Sequence, residues 1–126
     1  KEGSLKGYLF KDAKQNRVFV TDTPQPGSKS CQTDYRILSS ANGLSLVECK
    51  LITGRTHQIR VHMAYIGHPI LGDTVYGHKK KELGQDTQCL HAGALCFRHP
   101  RDGRPGMVFA PLPDYFKEVL QKLQPL

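Results

Sequence analysis

Two arginines, three of the chain's six histidines and four of its glycines fall between Leu51 and Gly77. Gly54-Arg55-Thr56 stands at the start of an apolar-periodic segment. A helix beginning there would offer free backbone N–H groups and a positive dipole end, a natural place for an anion. Arg55 adds a fork of donors to the same spot, and Thr56 and His57 stand beside it. Arg60 follows one turn later, on the side away from Ile59 and Met63. A guanidinium held on a helix by packing can grip one carboxylate with two parallel bonds, although a lone helical arginine is more often simply solvated. His57 and His62 are five apart, which does not bring them onto one helical face, and no carboxylate lies between them. The pattern therefore argues against a metal and for structural or RNA-facing histidines. No P-loop and no G-x-G-x-x-G is present, so nucleotide cofactors gain no support. The serines lie in turns without a base and orienter, and no nucleophilic triad can be assembled from them.

The elements that must position these groups are legible. The apolar period predicts a helix over 56–66, with Ile59, Met63 and Ile66 on the inner face. Thr53 or Thr56 would cap it, and Gly67 and Pro69 would end it. Upstream, Ser4–Phe10 and Arg17–Val20 read as strands joined by a polar loop. The segments 32–38 and 44–52 read as a hairpin across Ser39-Ser-Ala-Asn-Gly43, whose Asn-Gly pair suits a tight turn. Downstream, Cys89–Phe97 is strand-like with an interruption at His91-Ala-Gly-Ala94, a bulge or a short helical turn, and Asp102-Gly103 turns the chain so that Met107–Ala110 pairs back on it. Pro113–Leu123 reads as an amphipathic helix with Phe116, Val119, Leu120 and Leu123 inward. The expected class is α+β: a mixed, mainly antiparallel sheet with a few packed helices, in one domain spanning 1–126.

Bulk properties narrow the function. The 126 residues carry 18 Lys+Arg against 11 Asp+Glu, a formal net charge of +7. That excess favours an anionic partner, and nucleic acid is the commonest for a small basic domain. Lys79-Lys80-Lys81 could contact phosphate or simply be a solvated loop. Cysteines 31, 49, 89 and 96 form no C-x-x-C pair. Reduced thiols in a cytoplasmic protein are expected, with Cys49 and Cys96 acting as small hydrophobes within apolar runs. No apolar run reaches the roughly 18 residues of a membrane span.

The string Leu51-Ile-Thr-Gly-Arg-Thr-His-Gln-Ile-Arg-Val-His-Met-Ala64, followed by Gly67-His-Pro-Ile-Leu-Gly-Asp-x-x-Tyr-Gly77, closely resembles a signature of the RluA-type pseudouridine synthases. Leu90-His-Ala-x-x-Leu-x-Phe-x-His-Pro100 and Phe109-Ala-Pro-Leu-Pro113 are similar to further pieces of that family, and Cys31–Leu38 looks like its strand before the hairpin. The resemblance covers nearly the whole chain. It implies isomerisation of uridine to pseudouridine in ribosomal or transfer RNA, without metal or organic cofactor. It maps the arginine that pairs with the family's nucleophilic aspartate to Arg60. It makes Arg55 a second arginine near the site and Leu90 an apolar contact in the uridine pocket.

The departure from the family pattern is equally specific. None of the seven aspartates follows Arg-Leu, as the family's nucleophile does, and the tyrosine motif is absent as well. Asp73 matches a different family position and reads as a structural loop residue. The expectation is a C-terminal portion of the catalytic domain, without the N-terminal portion that carries the aspartate, and inactive alone. Lys1-Glu2-Gly3 lacks an initiating Met, so residue 1 need not be the natural start. Arg60 would then lack its partner and face water, an ion or a neighbour; pairing with an aspartate of this same chain would remove it from that role. An apolar face left open would invite dimerisation. The competing reading is an RNA-binding module without chemistry, which the basic charge fits equally well but which has no need of Gly-Arg-Thr-His-Gln-Ile-Arg.

Overall fold

Small and β-branched residues on alternate positions build the main sheet. Gly7 and Leu9 on one strand, Val18 and Val20 on the next, and Cys31 and Thr33 on a third are all buried on one side of it. In the computed structural model, which describes residues 2–41, 43–77 and 87–123, these belong to β1 (Glu2–Asp12), β2 (Arg17–Thr21) and β3 (Lys29–Ala41). β4 (Leu44–Leu51) completes a four-stranded antiparallel sheet in the order β2-β1-β3-β4. The expected hairpin across Asn42-Gly43 is present, with Ala41 opposite Leu44, and Gly43 takes a φ of 77° that a side chain would strain. A register shift between Ile37 and Ser39 bends β3 just before that turn.

Helix α1 (Gln58–Tyr65) lies on the buried face, packed against β2 and β3. It begins two residues later than the sequence pattern suggested. Its inner face also differs: Gln58, Val61, His62 and Met63 are buried, Ile59 is half-buried and Ile66 is 39% exposed. Gln58 can face the sheet because it is fully hydrogen-bonded there, and His62 lies against the Cys31 thiol, so the apolar period alone misplaced the face. Leu9, Val18, Val20, Cys31 and Val61 form the core, with Tyr76 against it. Gly67, at φ 87°, ends the helix region as expected, its N–H bonded to the Ala64 carbonyl.

The downstream strands are β5 (Ala94–Arg98) and β6 (Pro105–Phe109), a two-stranded antiparallel ribbon that pairs with no strand of the main sheet among the described residues. Leu95, Phe97, Met107, Val108 and Phe109 are all exposed, Phe109 by 74%. Cys96 does lie in an apolar run, but it is exposed with the rest of its strand, whereas Cys31 is the buried thiol. Helix α2 (Asp114–Leu123) packs against β4 and buries Val119, with Phe116 and Leu120 half-buried. Among the described residues no helix is long and apolar enough to cross a membrane.

Candidate functional site

The chain leaves β4 at Leu51 and turns back over β3, where the Ile52 and Thr53 N–H groups reach the Gln32 carbonyl at 3.2 and 3.4 Å. Gln58 then fastens the loop. Its amide nitrogen donates to the Gln32 carbonyl and to Thr33 Oγ1, both at 2.8 Å. Its oxygen accepts the Thr53 hydroxyl at 2.8 Å and the Arg55 backbone N–H at 3.0 Å. Both amide protons and both lone pairs of a side chain only 2% exposed are thereby satisfied. The expected caps at Thr53 or Thr56 do not form. His57 takes the N-cap position in a left-handed conformation, φ 54°, without a side-chain cap bond, while Thr53 is drawn to Gln58 instead.

This lock presents Arg55, Thr56 and His57 to solvent. Arg55 Nε donates to the Ser30 carbonyl at 3.0 Å, which leaves the rest of its guanidinium available. Beside it opens a shallow depression of about 410 Å³, lined by Lys6, Gly7, Tyr8, Asp22, Ser30, Cys31, Gln32, Ile52 and Thr53. His57 Nδ1 meets the Tyr76 hydroxyl at 2.9 Å. Partial burial, with help from the Arg60 and Lys11 charges, holds the His57 pKa below its ordinary value, against an opposing pull from Asp73.

Arg60 is not where the sequence reading put it. Its Nε and a terminal nitrogen grip the two Asp73 carboxylate oxygens at 2.9 and 3.0 Å, with the arginine side chain 12% exposed and the aspartate fully buried. Asp73 Oδ1 also accepts the Val75 and Tyr76 N–H groups, both at 3.1 Å. Burial alone pushes the Asp73 carboxyl up, but the Arg60 bonds, those backbone donors and the Arg60 charge outweigh it and hold it below the usual carboxylate value. The proposed partnership of Arg60 with an aspartate outside the chain is therefore corrected: the guanidinium clamps the loop 73–77 onto α1. The bidentate geometry was anticipated; its partner was not. Asp73 is the structural loop residue it was read to be.

The remaining expected residues are dispersed. Leu90 is 38% exposed, in the segment tied to Leu71 through the Cys89 N–H. Lys79, Lys80 and Lys81 lie outside the described residues. Among the described residues no group of three or more His, Cys, Asp or Glu is placed to hold a metal ion. Sequence reasoning missed two members of the site. Gln58 was visible only as one polar residue inside the central string, and Tyr76 as one aromatic residue in a glycine-bounded loop.

Residues 1–65 match the family model described as RNA pseudouridylate synthase. The chain belongs to this family. An RNA pseudouridine synthase of Chloroflexus aurantiacus is 46% identical over 99 residues, 79% of this chain and 31% of that protein. The Bacillus subtilis RNA pseudouridine synthase YlyB is 42% identical over 123 residues, 98% of this chain and 39% of the relative. The ribosomal large subunit pseudouridine synthase D of Zymomonas mobilis is 46% identical over 96 residues, 71% of this chain and 30% of its own length. The chain thus spans about a third of the length of these curated pseudouridine synthases. Among solved structures, human RNA pseudouridylate synthase domain containing 4 superposes with a TM-score of 0.71 at 24% identity, covering 97% of this chain and 56% of the other. Its domain containing 1 counterpart gives 0.67 at 25%, covering 97% and 59%. The α+β fold is that of pseudouridylate synthase domains.

Proposed function

We propose that this chain is the C-terminal portion of the catalytic domain of an RNA pseudouridine synthase, an isomerase that converts uridine to pseudouridine. The observation that carries the reading is the Gly54–Gln58 loop of a family member, held by the four hydrogen bonds of Gln58, two to β3 and two back to Thr53 and Arg55, with Arg55 open beside a depression. Such a loop fixes its arginine by the backbone bond to Gln58 and by one neutral side-chain bond, Nε to the Ser30 carbonyl, which preorganises a cation without neutralising it. With Arg60 clamped on Asp73, Arg55 becomes the arginine we assign to the nucleophilic aspartate supplied by the preceding portion of the enzyme.

The aspartate forms no part of this chain's site, so the chain alone should not turn over. RNA is the partner, held through phosphates by the +7 charge, with Lys79–Lys81, Thr56 and His57 as further contacts and Leu90 against the target base. The large-subunit name of the Zymomonas mobilis relative favours ribosomal over transfer RNA. No organic cofactor or metal is needed, and the protein acts in the cytoplasm. The uncovered β5–β6 ribbon is the face on which the preceding portion docks, with self-association of the isolated chain as the competing occupancy.

The deciding experiment measures pseudouridine formation in large-subunit RNA by the full-length enzyme and its Arg55→Ala and Arg60→Ala variants. Arg55→Ala should lose at least a hundredfold in rate while remaining folded. Arg60→Ala should act mainly through stability. Full rate in a folded Arg55→Ala enzyme removes Arg55 from the site. Strong RNA binding without any pseudouridine formation by the full-length protein would favour the non-catalytic RNA-binding module.

A further inference from the structure

Tyr76 stands where three elements meet, and its hydroxyl has more to do than fill space. Arg17 from β2 and Arg60 from α1 both bring their guanidinium carbons to 5.1 Å from its ring centroid. The hydroxyl oxygen accepts the Val18 backbone N–H of β2 at 3.1 Å and lies 2.9 Å from His57 Nδ1. A phenol has one proton and two lone pairs. One lone pair is taken by Val18. Donation of the phenol proton to His57 Nδ1 uses the only donor and leaves one lone pair over. The reverse arrangement, with His57 Nδ1–H donating, would leave the phenol proton without a protein partner among the described residues. Two cations against the ring draw electron density from it and strengthen the O–H as a donor.

We propose that Tyr76 is the positioning residue for His57: its hydroxyl holds the imidazole as the Nε2–H tautomer and presents that N–H, beside Arg55, to the sugar–phosphate backbone of bound RNA. This rests on the RNA reading of the preceding subsection. His57 occupies the left-handed region at φ 54°, unusual for a residue with a Cβ, and its ring is exposed. No protein group among the described residues bonds its Nε2, so the locked ring has one donor left and that donor is free. The charged and titratable groups around it are Arg60 of α1, Lys11 of β1, Asp73 and Tyr76 of the following loop, and Arg17 of β2 through the tyrosine ring. Their net influence, together with burial, favours the neutral ring. His57 therefore acts as an oriented neutral donor, with Arg55 supplying the charge.

The test uses the intact protein and a labelled RNA stem-loop with an unpaired uridine. Nitrogen-15 spectra of the imidazole, recorded without RNA, should show His57 as the Nε2–H form in the unsubstituted protein and a mixture of tautomers in Tyr76→Phe. RNA affinity should fall roughly 3- to 10-fold in Tyr76→Phe and in His57→Ala alike, with no further loss in the double variant. An unchanged tautomer in Tyr76→Phe, or additive losses in the double variant, overturns the proposal. Should Tyr76→Phe unfold through loss of its bond to Val18, His57→Ala keeps that bond, and undiminished RNA affinity in this variant overturns the proposal as well. A locked tautomer in a protein with no affinity for RNA sinks the RNA reading and the role of His57 with it. Normal affinity with an unlocked ring sinks the role of Tyr76 alone.

Discussion

Asp73 and Arg60 show how one buried pair can serve stability. Each carboxylate oxygen meets the guanidinium, and two backbone N–H groups occupy a remaining lone pair, so the desolvated charges are matched. Removing one partner leaves the other uncompensated, and Asp73→Ala should cost about 3–5 kcal/mol in denaturant unfolding. The sign of the pH dependence follows from the lowered Asp73 pKa. Its stabilisation is present above the unfolded carboxylate value of about 3.9 and is lost as pH falls toward the folded value, so acid should weaken the native chain and weaken Asp73→Asn less. His62 adds a second acid-sensitive term. Burial pushes its pKa down, its Nδ1 has no partner among the described residues, and its Nε2 lies 3.7 Å from Cys31 Sγ. The neutral imidazole should begin to lose its stabilising advantage as pH drops below about 6.5, because the unfolded chain binds the proton first. Unfolding curves between pH 7 and 5 should steepen for the native chain and flatten for His62→Leu.

At the scale of elements, the loop 52–57 and helix α1 are one unit because Gln58 bonds backward to the loop and sideways to β3. Gln58→Leu is nearly isosteric but removes the acceptor of the Arg55 N–H and of the Thr53 hydroxyl proton and the donor to Thr33 Oγ1, while the Gln32 carbonyl keeps the Ile52 and Thr53 N–H groups. A loss of about 2–4 kcal/mol is expected, with Arg55 released from its fixed position; thermal unfolding and RNA affinity measured together would separate the two effects. The loop after the helix is equally constrained. A Cβ on Gly77 would sit 2.7 Å from the Asp73 carbonyl oxygen and 2.8 Å from Pro69 Cβ, so Gly77→Ala must shift backbone. Overpacking of this kind typically costs about 1–3 kcal/mol. Here it would also disturb Tyr76, one residue away.

Across the whole molecule, among the described residues, the four-stranded sheet has a helix-covered core, while the β5–β6 ribbon carries exposed apolar side chains without a covering layer. A two-stranded ribbon is marginal in water unless something packs on it. In the isolated chain the amides of 94–98 and 106–109 should exchange within seconds to minutes, whereas those of β1 and β3 persist. In the full-length enzyme the ribbon amides should become protected. If they remain as fast there, the ribbon is not the docking face. Protection that appears in the isolated chain only as concentration rises would identify a second copy as the occupant.

The amino-acid sequence by itself located the strands of the main sheet, both hairpins, the helix after Gly54-Arg55-Thr56 and the family, while the strand expected over 89–97 forms only from Ala94. Alternation, turn residues and a contiguous motif are local properties, readable along one dimension. It also located Asp73 in a structural loop and Arg55 in an exposed turn. Tertiary structure alone decided which carboxylate Arg60 holds, because a guanidinium takes whichever partner the packed backbone brings within 3 Å, here 13 residues away. It decided the inward face of α1, where Gln58, with its four hydrogen bonds, and His62, against the Cys31 thiol, displace the apolar Ile59 and Ile66. It turned the ribbon's apolar residues to solvent, since alternation marks a strand but does not say what lies against it. And it joined Tyr76 to His57, a bond between neighbouring loops that neither residue's own sequence surroundings contain.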